Sequence, residues 1–249
     1  MTTLVNLNRV KTRSIFTLLC AFAVPSIAMA NVSDHLYGTA QLGYSVADSD
    51  SQAYGNNIAN DKDFPSSFDA DDSMVGGIGL GYAFNQNLRI EGRLAKREFD
   101  INDTRYGTGA REGEQYLLDG EMQSVTMTVE GFYDFPMNAS LTPYVKAGIG
   151  LSSNEYDARL GGTGVAGFDV YDGKADGYYD NYTDGDSNEF SWNVGAGASY
   201  ALTPSTRLYG EYQYINFGDV QTGQDSFSDG FKVDNASAHE INLGLRYQF

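Results

Sequence analysis

The chain has 249 residues, a net charge of −17 and one cysteine, Cys20, inside an N-terminal stretch that reads as removable. What remains therefore has no disulfide, no thiolate catalysis and no cysteine-held metal, and its acidity argues against nucleic acid as a partner, because phosphates would be repelled. An aromatic content of 13% argues equally against a disordered acidic chain.

The first element in chain order is a secretory signal. Arg9, Lys11 and Arg13 form a basic start, residues 15–24 an apolar stretch, Pro25 breaks it, and Ala28, Met29 and Ala30 form a small-residue cleavage site before Asn31. The apolar stretch is about half the ~20 residues of a spanning helix. A buried N-terminal helix is the alternative, and the order of basic, apolar and small residues favours the signal. Leu19 precedes Cys20 where a lipid-attachment motif needs a small residue. The expected division is a cleaved signal peptide at 1–30 and one domain at 31–249. Losing three basic residues takes the charge from −17 to −20.

From residue 36 the chain repeats one unit: about ten residues of apolar–polar alternation bounded by turn residues, as a membrane strand reads. Residues 36–45 carry Leu36, Ala40, Leu42 and Tyr44 on one face, and residues 74–84 carry Met74, Ile78, Leu80, Tyr82 and Phe84. In 88–97, Leu88, Ile90 and Leu94 alternate with Arg89, Glu91 and Arg93; in 122–135 the apolar set is Val125, Met127, Val129, Tyr133 and Phe135. Residues 141–152 set Val145, Ala147, Ile149 and Leu151 against Tyr144 and Lys146, and residues 190–202 run from Phe190 and Trp192 to Tyr200 and Leu202. Residues 206–217 oppose Leu208, Tyr212 and Tyr214 to Arg207, Glu211 and Gln213. Residues 239–249 oppose Ile241, Leu243, Leu245, Tyr247 and Phe249 to Glu240, Asn242, Arg246 and Gln248.

Connections alternate between short (85–87, 136–140, 203–205) and long (46–73, 98–121, 153–189, 218–238). Short periplasmic turns and long outer loops are the pattern of an outer-membrane barrel. A soluble β-sandwich also alternates, but its strands usually have five or six residues and rarely carry mid-strand charges on one face. The aromatic ends Tyr82, Phe84, Tyr133, Phe135, Tyr200, Tyr247 and Phe249 fall at one level, as a periplasmic girdle would. Tyr44, Phe190, Trp192, Tyr212 and Tyr214 are candidates for the upper girdle. The expected fold is all-β: an eight-stranded antiparallel transmembrane up-and-down β-barrel with four long extracellular loops, set in outer-membrane lipid and lipopolysaccharide.

The segment Leu141-Thr142-Pro143-Tyr144-Val145-Lys146-Ala147-Gly148-Ile149-Gly150 resembles the fifth strand of small OmpA-like and opacity-type porins. Val194-Gly195-Ala196-Gly197 leading into Tyr200-Ala201-Leu202-Thr203, and Tyr209-Gly210-Glu211-Tyr212-Gln213-Tyr214, resemble later strands of the same family. Tyr247 and Phe249 are similar to the C-terminal aromatic signal read by the barrel-assembly machinery. The resemblance implies an integral outer-membrane barrel and adds no peptidoglycan-binding domain.

Nine charged residues fall on inward faces: Arg89, Glu91, Arg93, Glu130, Lys146, Arg207, Glu211, Glu240 and Arg246. Counted up from the turns at about 3.3 Å per residue, Arg93, Glu130, Lys146 and Glu211 share one layer. An eight-stranded barrel has room for side chains and no wide channel, so an ion-pair network is expected. Either it is a fixed plug or it opens as a gate when partners exchange; the plug is preferred.

The long loops hold 27 acidic against 6 basic residues. Residues 169–189 offer carboxylates and carbonyls for Ca²⁺ or Mg²⁺, but Tyr182 stands where an EF-hand would continue its ligands after Asp180, so solvated acidic loops are expected. Residues 165–171 read as an extracellular strand extension. The loop tyrosines Tyr54, Tyr106, Tyr116, Tyr156, Tyr178, Tyr179 and Tyr182 suit adhesion to a host or cell-surface ligand. For catalysis, only His35 and His239 are available. Strand parity turns Glu240 away from His239, so no Ser-His-acid site is expected, and no cofactor.

Overall fold

The computed structural model describes residues 35–54, 61–137, 140–164, 178–223 and 230–249; the expected signal peptide and the expected extension at 165–171 lie outside these. Among the described residues ten strands form: β1 (Leu36–Ala47), β2 (Gln52–Tyr54), β3 (Ser73–Ala83), β4 (Leu88–Tyr106), β5 (Gln115–Asp134), β6 (Leu141–Thr163), β7 (Tyr178–Asn181), β8 (Gly185–Ala201), β9 (Thr206–Gln221) and β10 (Gly230–Gln248). Eight of them pair antiparallel in the order β1-β3-β4-β5-β6-β8-β9-β10, and β1 closes on β10 from Tyr37↔Gln248 to Ala47↔Ala238. Closure leaves no unpaired edge in the ring. The short β2 adds to the far end of β10 and β7 to the far end of β6.

Period-2 alternation dictates the wall. On β6, Val145, Ala147, Ile149 and Leu151 point out and are exposed, while Tyr144, Lys146 and Ser152 are buried inside. From Leu141 to Leu151 the chain climbs ten residues. At about 3.3 Å each and about 40° of tilt, that spans about 25 Å, the height of a barrel's apolar band.

The strands do not stop where the expected segments stop. β4 continues nine residues past Arg97 to Tyr106, β5 starts at Gln115, β6 runs on to Thr163 and β10 starts at Gly230. Much of the three expected loops at 98–121, 153–189 and 218–238 is therefore strand. The physical reason is an exchange of surroundings. Below Leu94 the even residues of β4 are apolar and face out; above it Glu98, Asp100 and Asn102 face out, and Phe99 and Ile101 are buried inside. The same exchange places Tyr116, Leu118 and Met122 inside on β5 and Tyr156, Ala158 and Leu160 inside on β6. Outside, the wall goes from apolar to charged; inside, from charged to apolar.

β10 reaches this upper storey through a bulge between Val233 and Ser237, where Asn235 adopts φ 50°. The bulge shifts the side-chain alternation by one, so Phe231 and Val233 point inward like Ala236 and Ala238. The upper interior is one apolar cluster, closed from above by Phe64 and Phe68 of the β2–β3 connection. Phe68 packs edge-on against Phe231 at 5.7 Å and Phe64 against Tyr116 at 4.7 Å.

Candidate functional site

The lower lumen is lined by charged side chains. Its centre is Arg93 on β4, whose guanidinium lies 3.0 Å from Glu91, 3.4 Å from Glu130 and 2.7 Å from Glu211. Lys146 on β6 ties the same layer together at 3.1 Å from Glu130 and 2.9 Å from Glu211. Neutral groups add hydrogen bonds to these carboxylates, although Glu91 Oε2 accepts none among the described residues. Thr39 donates to Glu91 at 2.9 Å, Asn193 to Glu130 at 3.0 Å and Tyr144 to Glu211 at 3.0 Å.

Opposing glycines make the room. A Cβ on Gly148 would sit 2.7 Å from the Glu130 Cγ and 2.9 Å from the Asn193 Nδ2, and one on Gly79 would collide with the Glu91 carboxylate. No side chain larger than hydrogen fits there while the layer stays as it is.

Above the central layer, Glu240 on β10 pairs with Arg97 on β4 and accepts from Gln213. Below it, Arg89 pairs with Asp134 at 3.0 Å, lies 3.7 Å from Glu91, and stacks on the Phe132 ring at 3.5 Å. Of the nine expected lumen charges, the structure joins Arg89, Glu91, Arg93, Glu130, Lys146 and Glu211 into one connected cluster. Glu240 forms a separate pair with Arg97, a partner absent from the expected set, and Asp134 is a second addition.

Arg207 and Arg246 stand outside both groups. Both face inward, but neither has a carboxylate partner among the described residues. Arg207 donates to Ser199 at 3.1 Å and Thr142 at 2.7 Å, and Arg246 lies over the Tyr37 ring at 5.3 Å. Parity tells which way a residue points and not who answers it.

At the turn end, the outward rings form adjacent pairs: Tyr82–Phe84 at 5.3 Å, Tyr133–Phe135 at 4.9 Å and Tyr247–Phe249 at 5.8 Å, with Tyr200 exposed on β8. At the loop end, Tyr106 is exposed, but Tyr116, Tyr156 and Tyr182 are buried in the apolar cluster, so these three cannot serve as surface contacts. Tyr54 is half-buried and donates to the Thr222 carbonyl at 2.9 Å. Of the 169–189 stretch expected to offer carboxylates, residues 169–177 lie outside the described residues.

One ionic clip sits at the β4–β5 tip. Arg111 reaches Asp61 at 2.7 Å and Glu114 at 3.0 Å, and donates to the Tyr116 hydroxyl at 2.7 Å. The Arg111 hydrogen bond holds the Asp61 carboxyl below its ordinary range. The Tyr116 hydroxyl, followed by Arg111, does the same for Glu114. Burial, aided by the bond to Glu114, pushes the Tyr116 phenol up to about 12.

The histidines stand apart. His35 packs on Tyr82 at 5.4 Å. His239 is bonded through Nδ1 to the Tyr212 hydroxyl at 2.6 Å, with Asp48 3.6 Å from Nε2. Ser237 is bonded to Ser49 at 3.1 Å, and Glu240 is on the inner face.

Residues 14–249 match the family described as outer membrane protein beta-barrel domain. The chain is 26% identical over 189 residues to outer membrane protein PagN of Salmonella typhimurium, covering 70% of this chain and 72% of PagN. It is 29% identical over 199 residues to an uncharacterized protein of Brucella abortus, covering 70% and 67%. The crystal structure of the outer membrane protein OprG from Pseudomonas aeruginosa superposes with a TM-score of 0.53 at 16% identity, covering 87% of this chain and 98% of OprG.

Proposed function

This chain belongs to the outer membrane protein beta-barrel domain family and resides in the outer membrane, and from that premise we propose that its lumen is sealed and that it acts from its outward-facing end. The carrying observation is the stacking of two unlike seals. An ion descending the axis meets first an apolar tier that includes Phe68, Phe99, Phe217 and Phe231, all fully buried, and then the Arg93–Lys146 layer. The first offers an ion only apolar rings, and the second holds its charges in buried ion pairs. A gate that opens by exchange of ion-pair partners would still leave the apolar tier shut.

In planar bilayers the purified protein is expected to give no unitary current, and Lys146→Ala and Glu211→Ala are expected to stay silent. Steady single-channel steps from the wild type would overturn the sealed reading.

The upper storey supports a role in surface recognition. Above Leu151, β6 climbs twelve more residues, about 30 Å at the same rise and tilt, with Ser153 and Arg159 exposed outside. This is a packed wall, which loses little entropy on binding a partner. Replacing residues 107–114 by a two-residue turn removes one tip and leaves the ring. Cells expressing that variant should adhere less to host or neighbouring cell surfaces; adhesion unchanged by the loss of every tip would reject recognition through the loop end.

Residues 1–30 are the signal peptide and 31–249 the domain. Tyr82, Phe84, Tyr133, Phe135, Tyr200, Tyr247 and Phe249 are the periplasmic girdle, and Tyr247 and Phe249 present the chain to the barrel-assembly machinery. No catalytic role is proposed, since Ser237, His239 and Glu240 answer to three different sets of partners.

A further inference from the structure

The inward-facing charges of the barrel are not balanced level by level. The central layer sets Arg93 and Lys146 against Glu91, Glu130 and Glu211; Arg97 answers Glu240; Arg89 answers Asp134. Arg207 and Arg246 are left over, both at the turn end and within three residues of a strand terminus. They are direct cross-strand partners between β9 and β10. Two like charges opposite one another on one face of a sheet destabilise it unless something lies between them. Arg246 is also within electrostatic reach of Arg89, and the carboxylate that acts on it, Asp134, is already engaged by Arg89 at 3.0 Å.

The surroundings have the features of an oxyanion seat. Arg207 is held by two hydroxyl acceptors, Ser199 and Thr142, which fix its guanidinium without neutralising it. Arg246 is steadied by the Tyr37 ring and makes no hydrogen bond or ion pair among the described residues. It lines a small cavity with Thr39, Arg89, Glu91, Arg93, Ser199 and Tyr209, in which three guanidinium groups face one carboxylate. Both arginines are half-buried, so the seat is open to the periplasmic mouth and still shielded on its inner side.

We propose that Arg207 and Arg246 form a periplasmic-mouth site for a phosphate-type oxyanion, which bridges the two guanidinium groups and supplies the missing negative charge. Planar, fixed guanidinium groups match tetrahedral oxyanions through paired N–H donors. The chemistry is shared by the headgroup of an inner-leaflet anionic phospholipid and by free phosphate in the periplasm.

The folded protein in zwitterionic detergent is titrated with inorganic phosphate against sodium chloride of matched ionic strength, with thermal unfolding as the readout. The wild type should gain stability saturably with phosphate, and Arg207→Gln/Arg246→Gln should not. Arg246→Lys, which keeps the charge and the fold, should weaken the response about tenfold through loss of paired donors. Lys96→Gln, an exposed cation on the outer wall, should leave it unchanged. Nanodiscs of phosphatidylglycerol or phosphatidylcholine, read by native mass spectrometry, separate the sources: one retained anionic lipid lost in the double variant identifies the headgroup, and phosphate stabilisation without lipid retention identifies the free ion. The proposal is overturned if the wild type shows neither response, or if the double variant, folded by gel mobility, responds as the wild type does.

Discussion

Replacing Lys146 by methionine tests the lumen most directly. Its ammonium is fully buried and lies 3.1 Å from Glu130 and 2.9 Å from Glu211. Without it, Arg93, with Arg89 3.7 Å from Glu91, is left to face Glu91, Glu130 and Glu211, so the excess of negative charge among these buried side chains grows by one. Breaking a buried pair from one side costs about 3–5 kcal/mol, because the surviving charge keeps its desolvation penalty. With a urea dependence of about 2 kcal/mol/M, the unfolding midpoint should fall by about 1.5–2.5 M. The assay is the folded fraction in lipid vesicles, read by heat-modifiable gel migration across a urea series. Adding Glu130→Gln removes one stranded carboxylate and should recover at least about 1 kcal/mol, a coupling that independent sites would not show. Equal midpoints for wild type and Lys146→Met would mean that these charges are solvated and that water enters the lumen.

Three further outcomes are expected. Phe99→Ala, at a fully buried position stacked on Phe217 at 6.0 Å, should cost about 3–5 kcal/mol; amide exchange should accelerate in the upper halves of β4 and β9 while the membrane band stays protected, and uniform protection would show the upper cluster to be loosely packed. The clip at the β4–β5 tip should loosen in acid. Asp61 and Glu114 are held below their ordinary values of 3.8 and 4.5, so their contribution is complete above about pH 4.5 and is lost as the pH falls through the lowered values; amide exchange at residues 107–114 should rise over that range in the wild type and be high and flat with pH in Arg111→Ala. Phe249→Ala should reduce the heat-modifiable band recovered from membranes while leaving the refolded protein's urea midpoint within about 1 kcal/mol, as expected of an exposed ring; undiminished recovery would remove the assembly role.

The ring was legible because the membrane imposes one rule on every strand, and residues such as Val145, Ala147, Ile149 and Leu151 obey it without interruption. The upper storey was not legible, for a reason visible at Lys96, Arg97 and Glu98. Three charged residues in a row end the outward apolar series, and the next apolar residues, Phe99 and Ile101, have the opposite parity. A pattern search reads that as the end of a strand, although the backbone runs straight on and only its surroundings have changed. On β10 a bulge adds a second slip of parity. The central layer could be found by counting up from the turns, because Arg93, Glu130, Lys146 and Glu211 stand at like heights. Arg97 and Asp134 escaped because each lies at the margin of an expected segment.

Closure by β1 on β10 joins residues about as distant in sequence as the chain allows: Tyr37 meets Gln248. Every other pairing within the ring joins strands that follow one another along the sheet, whereas this seam waits for the last strand. Until then the sheet has two raw edges and an apolar face turned towards water, the combination that drives chains to aggregate. Insertion is thereby tied to completion. A chain cut short before Ile241 loses the stretch that meets β1 from Tyr37 to Tyr44, and with it the means to close the ring.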